Sequence, residues 1–505
     1  MTSILPLNLD ILRQIAWSSD RQTCAALIQS CRFFYQEAAK RVLHDFVNLS
    51  YPRDVGKFVR FLGPQPHARA RYVRELRIGF SRLSLKDLRA LEGSFAQMDH
   101  LETLWIDEGE EIFEFCPSLL ETLAGLTSLR RLRVCSAGEL TWIFLKALKS
   151  DLISISLNWM GSDENWFAEQ GLDDDDWAVF HPVPVLAKWR STLEELTCES
   201  WFTASDLPVF TDVYPNMRRL TIERDDFPLV APYITAYPNL ARLSVQTDHV
   251  EDIRYPEDVE RLHQHRALNI GSQQAVGGPG TWQHLGEYVG SLVDLYLLGP
   301  ICNISRIAFT TQMSDRHLEL LSAVLSCAQP RHLKLEGDVS LFGHPTHSLP
   351  TILLGPASSR LESLVLNVDL ETEDTPLDAG AALTALASAL AKLSLRRLRL
   401  RVFENDPQPS PRWPGDFSES DDSEPESGTA QTRAPRTGDT RAHVQDTHQP
   451  EDSELDIDAF MGALPLLTDA IVKFKSSRRS GHRERTIVPE RADLPGGCDP
   501  RMFEI

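Results

Sequence analysis

The chain has 505 residues, 42% hydrophobic and 24% charged, the balance of an ordinary soluble protein with material for a large core. Its net charge of −21 argues against general nucleic-acid or anionic-membrane binding. Eight cysteines without C-x-x-C pairs point to neither a zinc site nor a disulfide framework, and no run of about eighteen uninterrupted apolar residues offers a membrane span.

The first residues carry Asp10 and Arg13 among their apolar positions and lack a basic leader, so the chain reads as cytoplasmic or nuclear. Asn8 is a good N-cap for a helix bearing Leu9, Ile11, Leu12 and Ile15. Thr23 can open a second helix bearing Leu27 and Ile28, and a third would run from about Arg32 to Leu43. Three short helices cannot bury all these apolar side chains among themselves, which leaves some of them for another surface.

These residues resemble an F-box, the motif by which substrate receptors dock onto the Skp-type adaptor of cullin-based ubiquitin ligases. The family pattern, Leu-Pro-x-Glu-Ile-Leu-x-x-Ile with a later Cys-Arg-x-Phe-like segment, aligns with Leu7 to Ile15 and with Cys31-Arg32-Phe33-Phe34, Asn8 standing where the family usually has Pro. The resemblance implies adaptor contacts from Leu5, Pro6, Leu9, Ile11, Leu12, Ile15, Leu27, Ile28 and Cys31. The alternative is a helical cap that only shields the first unit of the array that follows.

His44 to Ser50 reads as a short strand and Asp54 to Leu62 as an amphipathic helix, with no flexible linker before them. A phrase, apolar-x-x-Leu-x-apolar, then recurs, as in Val73-Arg-Glu-Leu76-Arg-Ile78, Leu101-Glu-Thr-Leu104-Trp-Ile106 and Leu129-Arg-Arg-Leu132-Arg-Val134. Its central residues are Leu76, Leu104, Leu132, Ile155, Leu196, Leu220, Leu243, Leu268, Leu295, Leu333, Leu364 and Leu398, with most steps between 23 and 31 residues. The recurrence resembles the leucine-rich repeat family in a degenerate form. Such units stack to bury one continuous core and form a curved solenoid with one parallel sheet. Where that family turns its strands on Asn or Cys, Asp225, Asp248, Asp338 and Asp369 stand here, which predicts ragged turns.

If the phrase is a strand, the leucine-type residues point inward and the residues between them form a concave floor. That floor carries nine Lys or Arg and seven Asp or Glu, so it is locally basic on an acidic chain and suits an acidic or phosphorylated protein substrate. Arg77, Trp105, Arg131, Arg133, Arg219, Arg242 and Tyr296 are the candidate target-binding residues, because exposed aromatics with arginines are typical anchors. A salt-laced solvated face is the plainer reading of the same arginines.

Between Ile155 and Leu196 an insertion brings Asp163, Glu164, Glu169 and Asp173 to Asp176 between Trp166 and Trp177, without the Gly and terminal Glu of a calcium loop. The glycines of Gly271 to Gly280 lack the Gly-Lys-Ser/Thr ending of a phosphate loop, and no spaced nucleophile or metal-ligand signature accompanies the fifteen histidines. The chain therefore reads as non-catalytic and without a cofactor. From Glu404 to Glu454 the composition becomes acidic and rich in Ser and Pro, which predicts disorder. Leu467 to Val472 offers one final strand.

The expected architecture is α/β, with an F-box-like helical module (1–43), an irregular leucine-rich-repeat solenoid of about twelve repeats (44–403), a disordered acidic insertion (404–455), a terminal repeat or cap (456–476) and a tail (477–505). Two functions fit it. One is the substrate-recognition subunit of a Skp–cullin–F-box ubiquitin ligase, and the other a stand-alone scaffold or inhibitor whose N-terminal helices are a cap.

Overall fold

Asn8 takes the capping role its side chain suits, accepting from the Asp10 amide at 3.0 Å, and starts helix α1 (Leu9–Ser18). Helix α2 (Arg21–Ile28) is capped one turn before Thr23, by Asp20, whose carboxylate accepts from the Thr23 amide at 2.7 Å. Helix α3 (Arg32–His44) follows, and the chain passes after two residues into strand β1 (Val47–Leu49) and helix α4 (Pro52–Leu62). The computed structural model describes residues 8–63, 69–79, 83–159, 181–200, 210–224, 227–247, 256–275, 280–343, 347–369, 379–404, 460, 462–464 and 466–476. The insertion bearing Asp173 to Asp176, the acidic stretch after Glu404 and the tail lie outside these residues, as do Leu5, Pro6, Asp225 and Asp248.

The recurring phrase builds a single sheet. After β1 come β2 (Glu75–Ile78), β3 (Thr103–Ile106), β4 (Arg131–Val134), β5 (Ser154–Asn158), β6 (Glu195–Glu199), β7 (Arg219–Glu223), β8 (Arg242–Gln246) and β9 (Glu287–Gly290). Strands β10 (Arg306–Met313), β11 (His332–Asp338), β12 (Ser363–Asp369), β13 (Arg397–Glu404) and β14 (Asp469–Ser476) complete it. All fourteen are parallel and paired in chain order, the topology of a leucine-rich-repeat-like solenoid. The register stacks the central residues of the phrase into one buried column, Leu76 against Leu104, Leu132, Ile155, Leu196, Leu220 and Leu243. Each is at most 2% exposed, and burying such a side chain contributes about 2 kcal/mol.

Two copies of the phrase do not form strands. Leu292 to Leu297 lies in a helix (Leu292–Leu298) because Ser291 caps it, accepting from the Asp294 amide at 2.9 Å, and Gly299 ends it in the left-handed conformation. Its strand is supplied just before, by Tyr288 of β9. Leu268 sits within the helix Pro256–Gln274 and is exposed. The unit after β9 comes from Ile304-Ser-Arg-Ile307-Ala-Phe309, which matches the phrase with Ile in place of Leu and becomes β10. Of the turn aspartates, Asp338 accepts from the Ser340 amide at 2.8 Å and so ends β11 as a carboxylate can.

A buried histidine ties the array to pH. His181 caps the short helix Pro182–Val185 through Nδ1, which accepts from the Val183 amide at 3.2 Å, and it packs on Phe210 and Tyr233. Burial pushes its imidazole down to about 3 from the ordinary 6.5. The unfolded chain therefore takes up a proton below pH 6.5 that the folded chain refuses, and stability falls as pH drops from about 6.5 towards 3. His265, His317 and His332 are lowered in the same direction by burial. Urea titrations of wild type and His181→Asn at pH 7.5 and 5 should show the variant losing about 2 kcal/mol less between the two, since Asn keeps the cap and cannot titrate. Equal losses would mean that His181 charges in place.

Candidate functional site

Two faces carry the residues expected to bind. On the first, α1 turns Leu9, Ile11 and Ile15 outward, 58%, 49% and 42% exposed, with Trp17 beside them at 40%. The helical unit has only a small core of its own, Ala16, Cys24 and Ala38, against which Leu27, Ile28, Phe34 and Val42 pack. Leu12, Leu27 and Ile28 are half-buried, and Cys31 is exposed at the start of α3. The unit joins the array through α3, where Leu43 enters the main core. The Arg69 guanidinium stacks 4.2 Å from the Tyr35 ring and 4.9 Å from the Phe61 ring. Between α2–α3 and β1–α4 lies a cleft of about 450 Å³ lined by Ile28, Val42, Leu43, Val47, Phe58 and Phe61.

The second face is the outward face of the sheet, the floor expected to be concave, where most cations are consumed by neighbours. Arg77 donates from Nε to both oxygens of Asp107 at 3.0 and 2.8 Å, and Arg219 pairs with Glu195 on the adjacent strand. Arg242 lies 3.7 Å from Glu287, Lys334 2.8 Å from Glu336, and Arg399 3.0 Å from Asp469. Exposed pairs of this kind contribute about 0 to 1 kcal/mol each, but they neutralise the floor where they form. Arg131 and Arg133, both exposed on β4, have no ion pair among the described residues. The Arg133 guanidinium lies 5.8 Å from the centre of the Trp105 ring, and the Phe46 ring packs on the same indole at 5.1 Å, tilted by 58°.

The structure brings Arg77, Trp105, Arg131 and Arg133 together on β2–β4 and sets Arg219 and Arg242 farther along the same floor. It removes Tyr296, and Asp294 with it, from the floor, because their segment is helical. Tyr296 is 5% exposed and its hydroxyl lies 2.6 Å from His263 Nδ1. Asp294 is buried and accepts from the Thr247 hydroxyl at 2.6 Å, and burial raises its carboxyl above the ordinary range. Phe46, one residue before β1, is the floor residue the phrase could not indicate. Among the described residues there is no group of three or more His, Cys, Asp or Glu arranged to hold a metal ion, and no helix long and apolar enough to cross a membrane.

No family model and no curated protein matches the chain. Its fold is similar to solved structures that include the leucine-rich repeat-containing protein LegL7 from Legionella pneumophila. That similarity has 10% identity, covers 67% of this chain and 88% of that one, and has a TM-score of 0.31. The solenoid assignment therefore rests on this chain's own register of parallel strands.

Proposed function

We propose that this protein is the substrate-recognition subunit of a Skp–cullin–F-box ubiquitin ligase. The observation that carries the reading is the exposure of the apolar side chains Leu9, Ile11 and Ile15 of α1, of which Ile11 and Ile15 stand one turn apart on the same side of the helix. A cap would turn its apolar side chains onto the array, whereas a docking helix keeps them for a partner. The similarity of Leu7 to Ile15 and Cys31 to Phe34 to the F-box pattern names that partner as a Skp-type adaptor, and through it a cullin scaffold. The concave floor around Trp105, Arg131 and Arg133 then holds the protein target, an acidic or phosphorylated segment suiting two guanidiniums that have no ion pair among the described residues. The role is positional and non-catalytic, carried out in the cytoplasm or nucleus without a cofactor.

Purified Skp-type adaptor should be captured by the full-length protein, and an Ile11→Asp, Ile15→Asp double variant should bind it at least about a hundredfold more weakly. Unaltered circular dichroism in the variant would show that the loss is local. Failure of the folded wild-type chain to capture the adaptor would overturn the reading in favour of a scaffold with a helical cap.

A further inference from the structure

The concave floor changes character between β4 and β7. In the register of the sheet Arg133 stands beside Ser156, Ser156 beside Thr197, and Thr197 beside Thr221. These three hydroxyl side chains are half-buried, short, and without a hydrogen-bond partner among the described residues, so between the large side chains of β3–β4 and the strands beyond runs a lane of free donors and acceptors. Along the far side of that lane Glu199 and Glu223 are register neighbours at the ends of β6 and β7. Glu199 is taken by Arg224 at 3.3 Å, while Glu223 has no ion pair among the described residues. Burial first, and Glu199 second, raise the Glu223 carboxyl, and the charges of Arg133 and Arg224 oppose them. Among the described residues the floor thus offers cations without an ion pair at one end and a carboxylate without one at the other.

A uniformly acidic segment would satisfy Arg131 and Arg133 and then meet Glu199 and Glu223, a juxtaposition of like charges that disfavours binding. We infer that the concave face takes an extended protein segment laid across the strands, with an acidic or phosphorylated side chain on Arg131 and Arg133 and a Lys or Arg four or five positions away on Glu223. The spacing follows from the sheet: neighbouring strands lie about 4.8 Å apart, which puts β7 about 14 Å from β4, and Glu223 stands two residues beyond Thr221, the register counterpart of Arg133, so that with about 3.4 Å per extended residue the two positions are about 16 Å, or four to five residues, apart. The lane supplies hydroxyls for the backbone of the crossing segment, and Trp105 an apolar surface beyond its acidic end. The inference rests on the concave face being the target-binding surface.

The test is selection of a phage-displayed random library of about twelve residues per peptide on the immobilised full-length protein. Enriched peptides should place an acidic and a basic residue four or five apart, and synthetic copies should lose about tenfold in affinity to an Arg131→Glu, Arg133→Glu variant and to Glu223→Lys alike. Reselection on Glu223→Lys should replace the basic residue with an acidic one, a gain that only a folded variant can show. If that variant fails to fold, selection on Glu223→Gln should lose the basic preference while keeping the acidic one. Peptides that need Arg131 and Arg133 but ignore Glu223 would overturn the two-ended inference and leave the concave surface standing as the target site. Peptides indifferent to every variant, or no enrichment at all, would overturn both.

Discussion

Gly290→Ala should lower the stability of the protein by about 4 kcal/mol, among the largest effects a single methyl group can have. A Cβ on Gly290 would stand 2.0 Å from the Val245 carbonyl oxygen and 2.7 Å from the Tyr288 hydroxyl. The first contact is with backbone on the neighbouring strand, and it can be relieved only by parting β9 from β8, which Val245 and Gly290 help to pair. The glycine also holds φ at +156°, which residues with a Cβ rarely adopt. Urea denaturation followed by circular dichroism measures the loss, and a lowered m-value alongside it would report that the array no longer unfolds as one unit. A midpoint equal to that of wild type would mean that β9 does not lie against Val245 as described.

Trp189→Ala should cost about 4 kcal/mol, for a different reason. The indole is 1% exposed behind the start of β6, and its Nε1–H donates to the Ser150 carbonyl at 2.7 Å. Ser150 in turn donates from its hydroxyl to the Leu126 carbonyl at 2.7 Å and accepts from the Leu129 amide at 3.2 Å, so Trp189 completes a chain of bonds that crosses successive units. Truncation leaves a cavity and an unpaired buried carbonyl together. Trp189→Phe, which keeps most of the volume and loses only the donor, should lose about 1 to 2 kcal/mol under the same denaturation protocol. Equal losses in the two variants would place the whole effect in the hydrogen bond and none in the packing.

Both sites show where the repeat is visible in the residues and where it is not. A strand whose inward side chains are Leu, Ile or Val declares itself by alternation, because only one face is buried and the period of two must be kept. Leu76, Leu104, Leu132 and Leu220 are of this kind, and they fall into one column. At β9 the inward residues are Tyr288 and Gly290, chosen by the close approach of the β8 backbone, and no apolar pattern signals that. The neighbouring Leu292-x-x-Leu295-x-Leu297 has the pattern and forms a helix, since in a segment buried on every side periodicity cannot separate helix from strand and the cap at Ser291 decides.

The floor divides in the same way. That alternate residues of the phrase face outward, and that arginines are frequent among them, follows from the order of residues alone, as does the apolar face of α1 beyond its Asn8 cap. Which arginines remain available was decided by the register. Arg77, Arg219 and Arg242 found carboxylates on or just beyond adjacent strands, and Arg131 and Arg133, placed beside Thr103, Trp105, Ser154 and Ser156, found none among the described residues. The sequence determines which side chains leave the core because that depends on a local period. Only the tertiary structure determines their partners, because ion pairing depends on side chains brought side by side from distant parts of the chain.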